Sequence, residues 1–301
     1  MREFQRLMFE WKERETKTRV PGEGEFVGVP GELRGFEIAW REHGSKKLSW
    51  GDLFQPAIDI ATKGFLATPA LIAAVEKNGP NITNDPGLSE LFKPNGRFIK
   101  DGDLIKRTKY GNTLKKIAKS GSADIFYSGK MAEQIVKDLR SIGSKISVED
   151  LENYQASKVK ALETALPGVD GHKIMTVPPP AGGVALIDIL NILKGFKFGP
   201  EDMKKHPVLT YHRMIEAFNF VAARETYLTD PAFDNKGDEI VKKMLDAEEG
   251  EMLRKKIDNK HHSYNYYGPI NYHIDVTDGT THLSVLDEEG NAVALTTSIN
   301  K

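Results

Sequence analysis

The sequence predicts a mixed α/β chain of the α+β kind, mostly helical and closing in a β-hairpin. Three observations carry that expectation. Apolar residues recur at helical spacing between cap and stop signals from Asp52 to Tyr227. Alternation with β-branched residues sets in only at Thr281 to Leu286 and Ala292 to Ile299. The segment between those two runs, Asp287-Glu288-Glu289-Gly290-Asn291, is made of turn formers.

The elements follow in chain order. Lys12 to Pro30 is charged and contains Gly and Pro, so it reads as a lead-in rather than a helix. In Asp52 to Ile60, Leu53, Ala57 and Ile60 form one helical stripe, and Gly64 is a stop. Thr68-Pro69 supplies an N-cap and a first-turn proline for a short helix through Val75, ending at Asn78-Gly79-Pro80. Asn81 to Asp103 is rich in Pro, Gly, Asn and Asp without periodicity and reads as a long surface excursion; it contains the glycosylation triplet Asn81-Ile82-Thr83. Met131, Ile135 and Leu139 mark a helix from Gly129 to Ile142, and Ser147 with Asp150 resembles a capping box for a helix through Tyr154. A short strand, Lys173 to Val177, precedes Pro178-Pro179-Pro180-Ala181-Gly182-Gly183 and a buried helix to Leu193. The longest helix spans about Val208 to Tyr227, with Tyr211, Ile215, Phe218 and Ala222 expected on its buried face and Thr229-Asp230-Pro231 ending it. Asp238 to Glu251 reads as a charge-rich, solvated helix, and His261 to His273 as an aromatic, His-rich loop.

The chain has 301 residues, 39% hydrophobic and 28% charged, which is enough apolar material for a core and typical of a folded domain. Lys+Arg number 42 against 43 Asp+Glu, a net charge of -1, so no field exists for holding phosphate backbones and nucleic acid is not expected as a partner. Cysteine is absent, which removes disulfides, thiolate nucleophiles, zinc ribbons and iron-sulfur clusters together. No signal-peptide core or membrane span is visible, and both ends read as cut: Met1 abuts an amphipathic pattern, and Lys301 stops inside a strand.

The segment that carries chemistry is Asp278-Gly279-Thr280-Thr281-His282-Leu283-Ser284-Val285. A threonine hydroxyl is a weak nucleophile and needs a base; its own α-amine serves once the preceding peptide bond is cut. Gly279 suits such a cut, since without a side chain it lets the Thr280 hydroxyl approach its carbonyl. Locally, Gly-Thr-Thr at a strand start is foremost the pattern of an ordinary strand.

This segment, with Gly290-Asn291-Ala292-Val293-Ala294 and Thr297-Ser298-Ile299-Asn300, resembles the junction of the γ-glutamyltransferases (glutathione hydrolases). Val29-Pro30-Gly31-Glu32-Leu33-Arg34-Gly35, Leu53-Phe54-Gln55-Pro56-Ala57, Pro178 to Gly183, Asn191 to Gly195 and Thr210 to Phe218 fit the same family in the same order, with an animal-like character. The resemblance implies part of an N-terminal-nucleophile αββα sandwich. In such proteins a precursor cuts itself before a threonine: here residues 1–279 would be the C-terminal part of the large subunit and 280–301 the start of the small one.

It further implies cleavage between Gly279 and Thr280, with Thr280 as nucleophile, Ser298 as a hydroxyl beside it and Asn300 at the α-amino end of the γ-glutamyl group. Arg2 of Arg2-Glu3 corresponds to the arginine that binds the substrate α-carboxylate, although Phe4-Gln5 departs from the small residue and proline that follow the pair in the family. His282 also matches the motif and reads as structural rather than as the base. The implied substrates are glutathione and other γ-glutamyl compounds, with acceptor amino acids or dipeptides, no metal or organic cofactor, and the outer face of the plasma membrane as location. The family's small subunit continues past this point with groups for the α-amine, the α-carboxylate and the oxyanion. An inactive fragment or pseudoenzyme acting as a binding partner, or another N-terminal-nucleophile acylase, are the alternatives. Elsewhere, His261-His262 reads as a solvated pair and Ala181-Gly182-Gly183 as a packing turn.

Overall fold

The computed structural model describes residues 23–166, 169–270 and 280–298. Two compact units divide between Ala156 and Ser157.

The first unit is built from helices, four of which start at a side-chain cap, Ser49, Thr68, Asp85 or Ser147. Helix α1 (Glu32–His43) leads into α2 (Trp50–Lys63), whose N-cap Ser49 forms a full capping box with Asp52. Strand β1 (Phe65–Leu66) pairs antiparallel with β2 (Leu104–Ile105). Between them lie α3 (Pro69–Lys77), α4 (Gly79–Asn84) and α5 (Pro86–Phe92). Thr68 caps α3 as expected, its hydroxyl accepting from Leu71 N. The expected excursion from Asn81 to Asp103 is therefore mostly helical. Pro80 and Pro86 sit in first turns, and Asp85 Oδ1 accepts from Leu88 N at 2.7 Å, so first-turn prolines and, for α5, a side-chain cap start these helices without long periodicity. Asn81 is exposed there while Ile82 is buried.

Helices α6 (Thr108–Ser120), α7 (Asp124–Tyr127), α8 (Gly129–Ser141) and α9 (Val148–Glu152) complete the unit, and Ser147 with Asp150 closes a second capping box. Trp50, Ile117, Tyr127, Val136 and Leu151 form its main core, with Ile82, Val75 and Ile105 in a smaller one. Trp50 packs against Trp40 with ring centroids 5.5 Å apart and donates its indole N–H to Ile117 O. In α2 the stripe of Leu53, Ala57 and Ile60 is exposed, and Trp50, Ile58 and Ala61 point inward instead.

A buried polar knot holds the start of α1. Glu37 accepts from Ser122 Oγ, Ala123 N and Arg41, and Arg34 bridges Glu37 and Asp124. The Tyr127 hydroxyl donates to Pro30 O at 2.5 Å, and burial pushes its pKa up to about 12. A side chain at Gly31 would collide with the Tyr154 hydroxyl, 2.1 Å from where its Cβ would stand.

The second unit begins with the antiparallel pair β3 (Leu162–Ala165) and β4 (Lys173–Thr176). Helices α10 (Gly183–Lys194), α11 (Pro200–Lys205), α12 (Pro207–Glu225), α13 (Asp238–Leu245), α14 (Ala247–Arg254) and α15 (Tyr264–Tyr267) follow. The core is made by Val184, Ile192, Ala217, Phe220, Val221, Met244, Leu253 and Tyr267. Ala181-Gly182-Gly183 is a packing turn: a Cβ on Gly183 would lie 2.1 Å from Val177 O and 2.4 Å from Thr176 Oγ1.

Three expectations are corrected in this unit. On α12 the residues Tyr211, Ile215, Phe218 and Ala222 are exposed, while Thr210, Ala217, Phe220 and Val221 are buried. The helix is apolar on two sides, and periodicity marks a helix without choosing between its stripes. It also stops at Glu225, before Thr229-Asp230-Pro231. The solvated helix expected from Asp238 to Glu251 is two helices broken at Asp246, whose carboxylate caps Glu248 N, and its Met244 is fully buried.

Asp188 interrupts the apolar run from Gly183 to Leu193. It is fully buried on α10, where Arg224 of α12 approaches its two carboxylate oxygens at 3.4 and 3.3 Å and Glu249 of α14 at 2.8 Å. Burial pushes the Asp188 pKa up to about 7; Arg224 opposes that shift and Glu249 adds to it. The unit ends in β5 (Thr280–Leu286) and β6 (Ala292–Ser298), the expected hairpin.

Candidate functional site

The site is a strand start held by its register. Strands β5 and β6 pair antiparallel with Thr280 opposite Ser298, His282 opposite Thr296 and Ser284 opposite Ala294. The turn is fixed by Asp287, whose carboxylate accepts from the backbone N–H groups of Glu289 and Asn291 and from the Asn291 side chain. These bonds hold the Asp287 carboxyl below its ordinary range. Gly290 takes a φ of 85°, which a glycine adopts without strain.

Side chains alternate along each strand, so pairing divides the ribbon into two faces. One carries Thr280, His282 and Ser284 opposite Ser298, Thr296 and Ala294; the other carries Leu283 and Val285 opposite Leu295 and Val293. Thr280 Oγ1 donates to Ser298 Oγ at 3.3 Å, so the candidate nucleophile and its candidate neighbour are brought together. His282 Nδ1 lies 2.7 Å from Thr296 Oγ1, and Nε2 lies 3.1 Å from Ser284 Oγ. Thr280, His282, Ser284, Thr296 and Ser298 are all exposed. Gly279, Asn300 and Arg2 lie outside the described residues. Thr296 and Ser284 escaped the reading of the sequence, although the period of two, applied from Thr280, places both on its face.

Such a face offers a hydroxyl at a strand start, a second hydroxyl within hydrogen-bond distance, and an imidazole anchored on two more. Among the described residues no group of three or more His, Asp or Glu side chains is placed to hold a metal ion. The pair His261-His262 is more engaged than expected. His262 Nε2 meets Asp258 Oδ1 at 2.9 Å and its ring stacks on Tyr266, which packs that loop against α15.

Residues 2–301 match the family model described as Gamma-glutamyltranspeptidase. This chain belongs to the gamma-glutamyltranspeptidase family. It is 37% identical over 281 residues to Scoloptoxin SSD14 of Scolopendra dehaani, covering 91% of this chain and 47% of that protein. It is also 37% identical over 280 residues to Glutathione hydrolase 2 of Arabidopsis thaliana, covering 91% of this chain and 46% of that one. The chain thus spans about half the length of the curated relatives it matches. Its fold is that of the Helicobacter pylori gamma-glutamyltranspeptidase, with a TM-score of 0.71 at 24% identity over 84% of this chain and 70% of that chain. The family's match runs through the polar knot at Pro30–Gly35, the turn at Gly183 and the hairpin alike. Among the described residues no helix is long and apolar enough to cross a membrane.

Proposed function

We propose that this chain carries the cleavage point and the nucleophile of a γ-glutamyl acyl-transfer enzyme. Thr280 Oγ attacks the carbonyl carbon of Gly279, the bond from that carbon to the Thr280 nitrogen breaks, and the hydroxyl proton passes to the nitrogen. An ester then joins the two residues. Water hydrolyses it, leaving Gly279 as a carboxylate and Thr280 with a free amine and hydroxyl. Residues up to 279 become the C-terminal part of a large subunit, and Thr280 opens a small one.

In the second stage the Thr280 amine takes the hydroxyl proton while Oγ attacks the γ-carbonyl of glutathione or another γ-glutamyl compound. The amine product leaves with a proton, and a γ-glutamyl ester remains on Thr280. Water or the amine of an acceptor amino acid or dipeptide resolves that ester, and neither a metal nor an organic cofactor takes part. Ser298 hydrogen-bonds the nucleophile, Asn300 holds the α-amino end of the γ-glutamyl group and Arg2 its α-carboxylate. The outer face of the plasma membrane is the proposed location.

The observation that carries this reading is the register that sets Thr280 against Ser298 at the start of a hairpin, with their hydroxyls 3.3 Å apart. The test is the full-length protein on a denaturing gel and with a γ-glutamyl anilide. Thr280→Ala should leave one uncut chain without turnover, and Thr280→Ser should still cut, more slowly. Two subunits from the Ala variant would overturn the assignment. Arg2→Lys should raise KM about tenfold to a hundredfold, since an ammonium cannot reproduce a two-pronged contact worth roughly 1.5–3 kcal/mol. Asn300→Ala should raise KM as well.

A further inference from the structure

We propose that His282 is a positioning residue for Thr280, acting through Thr296 rather than as a base; this rests on the reading of Thr280 as nucleophile.

Cutting the chain before Thr280 turns the nucleophile into a terminus, and terminal residues fray unless they are tied down. The tie available at Thr280 itself is weak: the Thr280–Ser298 hydroxyl contact is 3.3 Å, long for an O–H···O bond. The next pair on the same face is His282 opposite Thr296, and its 2.7 Å contact is the short one. The second ring nitrogen is anchored at 3.1 Å on Ser284, two residues further along the same strand. The imidazole therefore works as a staple across the ribbon, one step behind the nucleophile and on its side.

The partners also decide what the ring can do. A neutral imidazole offers one donor and one acceptor, and a protonated one offers two donors. Hydroxyls both donate and accept, so Thr296 and Ser284 satisfy the ring in either tautomer and in either charge state. The staple holds without any change of protonation. Both nitrogens are taken up, so the ring has no free lone pair to aim at Thr280. Holding a reacting atom within a small tolerance is worth large factors in rate, and a loosened strand end gives those up while the groups that bind substrate stay in place.

The experiment uses the full-length protein with His282→Ala, Thr296→Val, the double variant, Thr296→Ser and Thr280→Ala, reading the rate of cleavage before residue 280 and the kcat and KM for a γ-glutamyl anilide. Each of His282→Ala and Thr296→Val should lower kcat about tenfold with KM within about twofold. The double variant should be no slower than either single one, because both remove the same bond. Thr296→Ser, which keeps the hydroxyl, should recover most of the rate that Thr296→Val loses. The acid limb of the pH–rate profile should stay in place in His282→Ala.

Additive losses of about a hundredfold, a kcat unchanged in both single variants, an effect confined to KM, or loss of the acid limb would each overturn the proposal; the last would make His282 a base. If His282→Ala fails to fold, the near-isosteric Thr296→Val decides through its kcat and its rescue by serine. Turnover by Thr280→Ala is a separate failure, that of the nucleophile assignment itself.

Discussion

Replacing Arg224 by Met should destabilise the second unit by an amount that depends on pH. Asp188 is fully buried on α10, and Arg224 shares its guanidinium between Asp188 and Glu249, joining α10, α12 and α14. Methionine fills a similar volume without the charge or the donors. Below about pH 6 Asp188 is protonated with or without Arg224, because burial has pushed its pKa up to about 7. The loss there is that of charged hydrogen bonds, roughly 1.5–3 kcal/mol in order of magnitude. Above about pH 7 the wild-type carboxylate ionises beside its arginine, whereas in the variant it keeps its proton to higher pH. The folded variant then retains a proton that the unfolded chain has released. The destabilisation should therefore grow by about 1.4 kcal/mol for each pH unit above about 7 until the variant's own carboxyl titrates. Hydrogen exchange of the amides in 183–194 and 207–225, corrected for intrinsic rates, measures this directly. Protection should fall about tenfold further between pH 7 and pH 8 in the variant than in the wild type. An equal loss of protection at pH 5.5 and pH 8 would refute the reasoning.

Other outcomes follow from the same geometry. Asp188 has a folded pKa above its unfolded value, so its ionisation in the unfolded chain lowers stability as pH rises from about 4 to 7; Asp188→Asn should remove that decline, read as a difference in denaturation midpoints across the window. Gly183→Ala would push a methyl against the Val177 carbonyl, 2.1 Å away, and should cost about 1–3 kcal/mol, seen as a lower melting temperature; an unchanged one would show that the turn can yield. Leu151→Ala, at a fully buried position of the first unit, should cost about 2–5 kcal/mol in chemical denaturation.

Local chemistry was legible where one residue does one job. Thr68 with Pro69 and Ser147 with Asp150 announce helix starts because the capping atoms and the orphan N–H groups are near in sequence, and Ser49 with Asp52 does the same although the expected helix began only at Asp52. The hairpin was legible for a similar reason, since its alternation and its turn are both local. Tertiary choices were not. Nothing near Phe218 or Ala217 says which side of α12 meets the core, and that choice depends on where α10 and α14 lie. Asp188 interrupts an apolar run, and nothing near it says why, because its partner Arg224 stands 36 positions away and Glu249, which shares that guanidinium, stands 61 away. At the candidate site the candidate nucleophile Thr280 stood out by its motif, whereas Thr296 and Ser284 had to be found by counting faces once the register was known.

The placement of the indoles has a practical consequence. The sequence contains 3 tryptophans, Trp11, Trp40 and Trp50, all before residue 156, and Trp40 and Trp50 are packed against each other in the first unit. The hairpin and the clamp around Asp188 belong to the other unit, which has tyrosines but no tryptophan. Excitation at the red edge of the protein absorption band therefore reports on one unit and leaves the other dark. A shift of that emission on cutting the chain before Thr280 would be a signal from a unit that contains neither the cut nor the hairpin, and a tryptophan placed at Phe220 would give the silent unit a colour of its own.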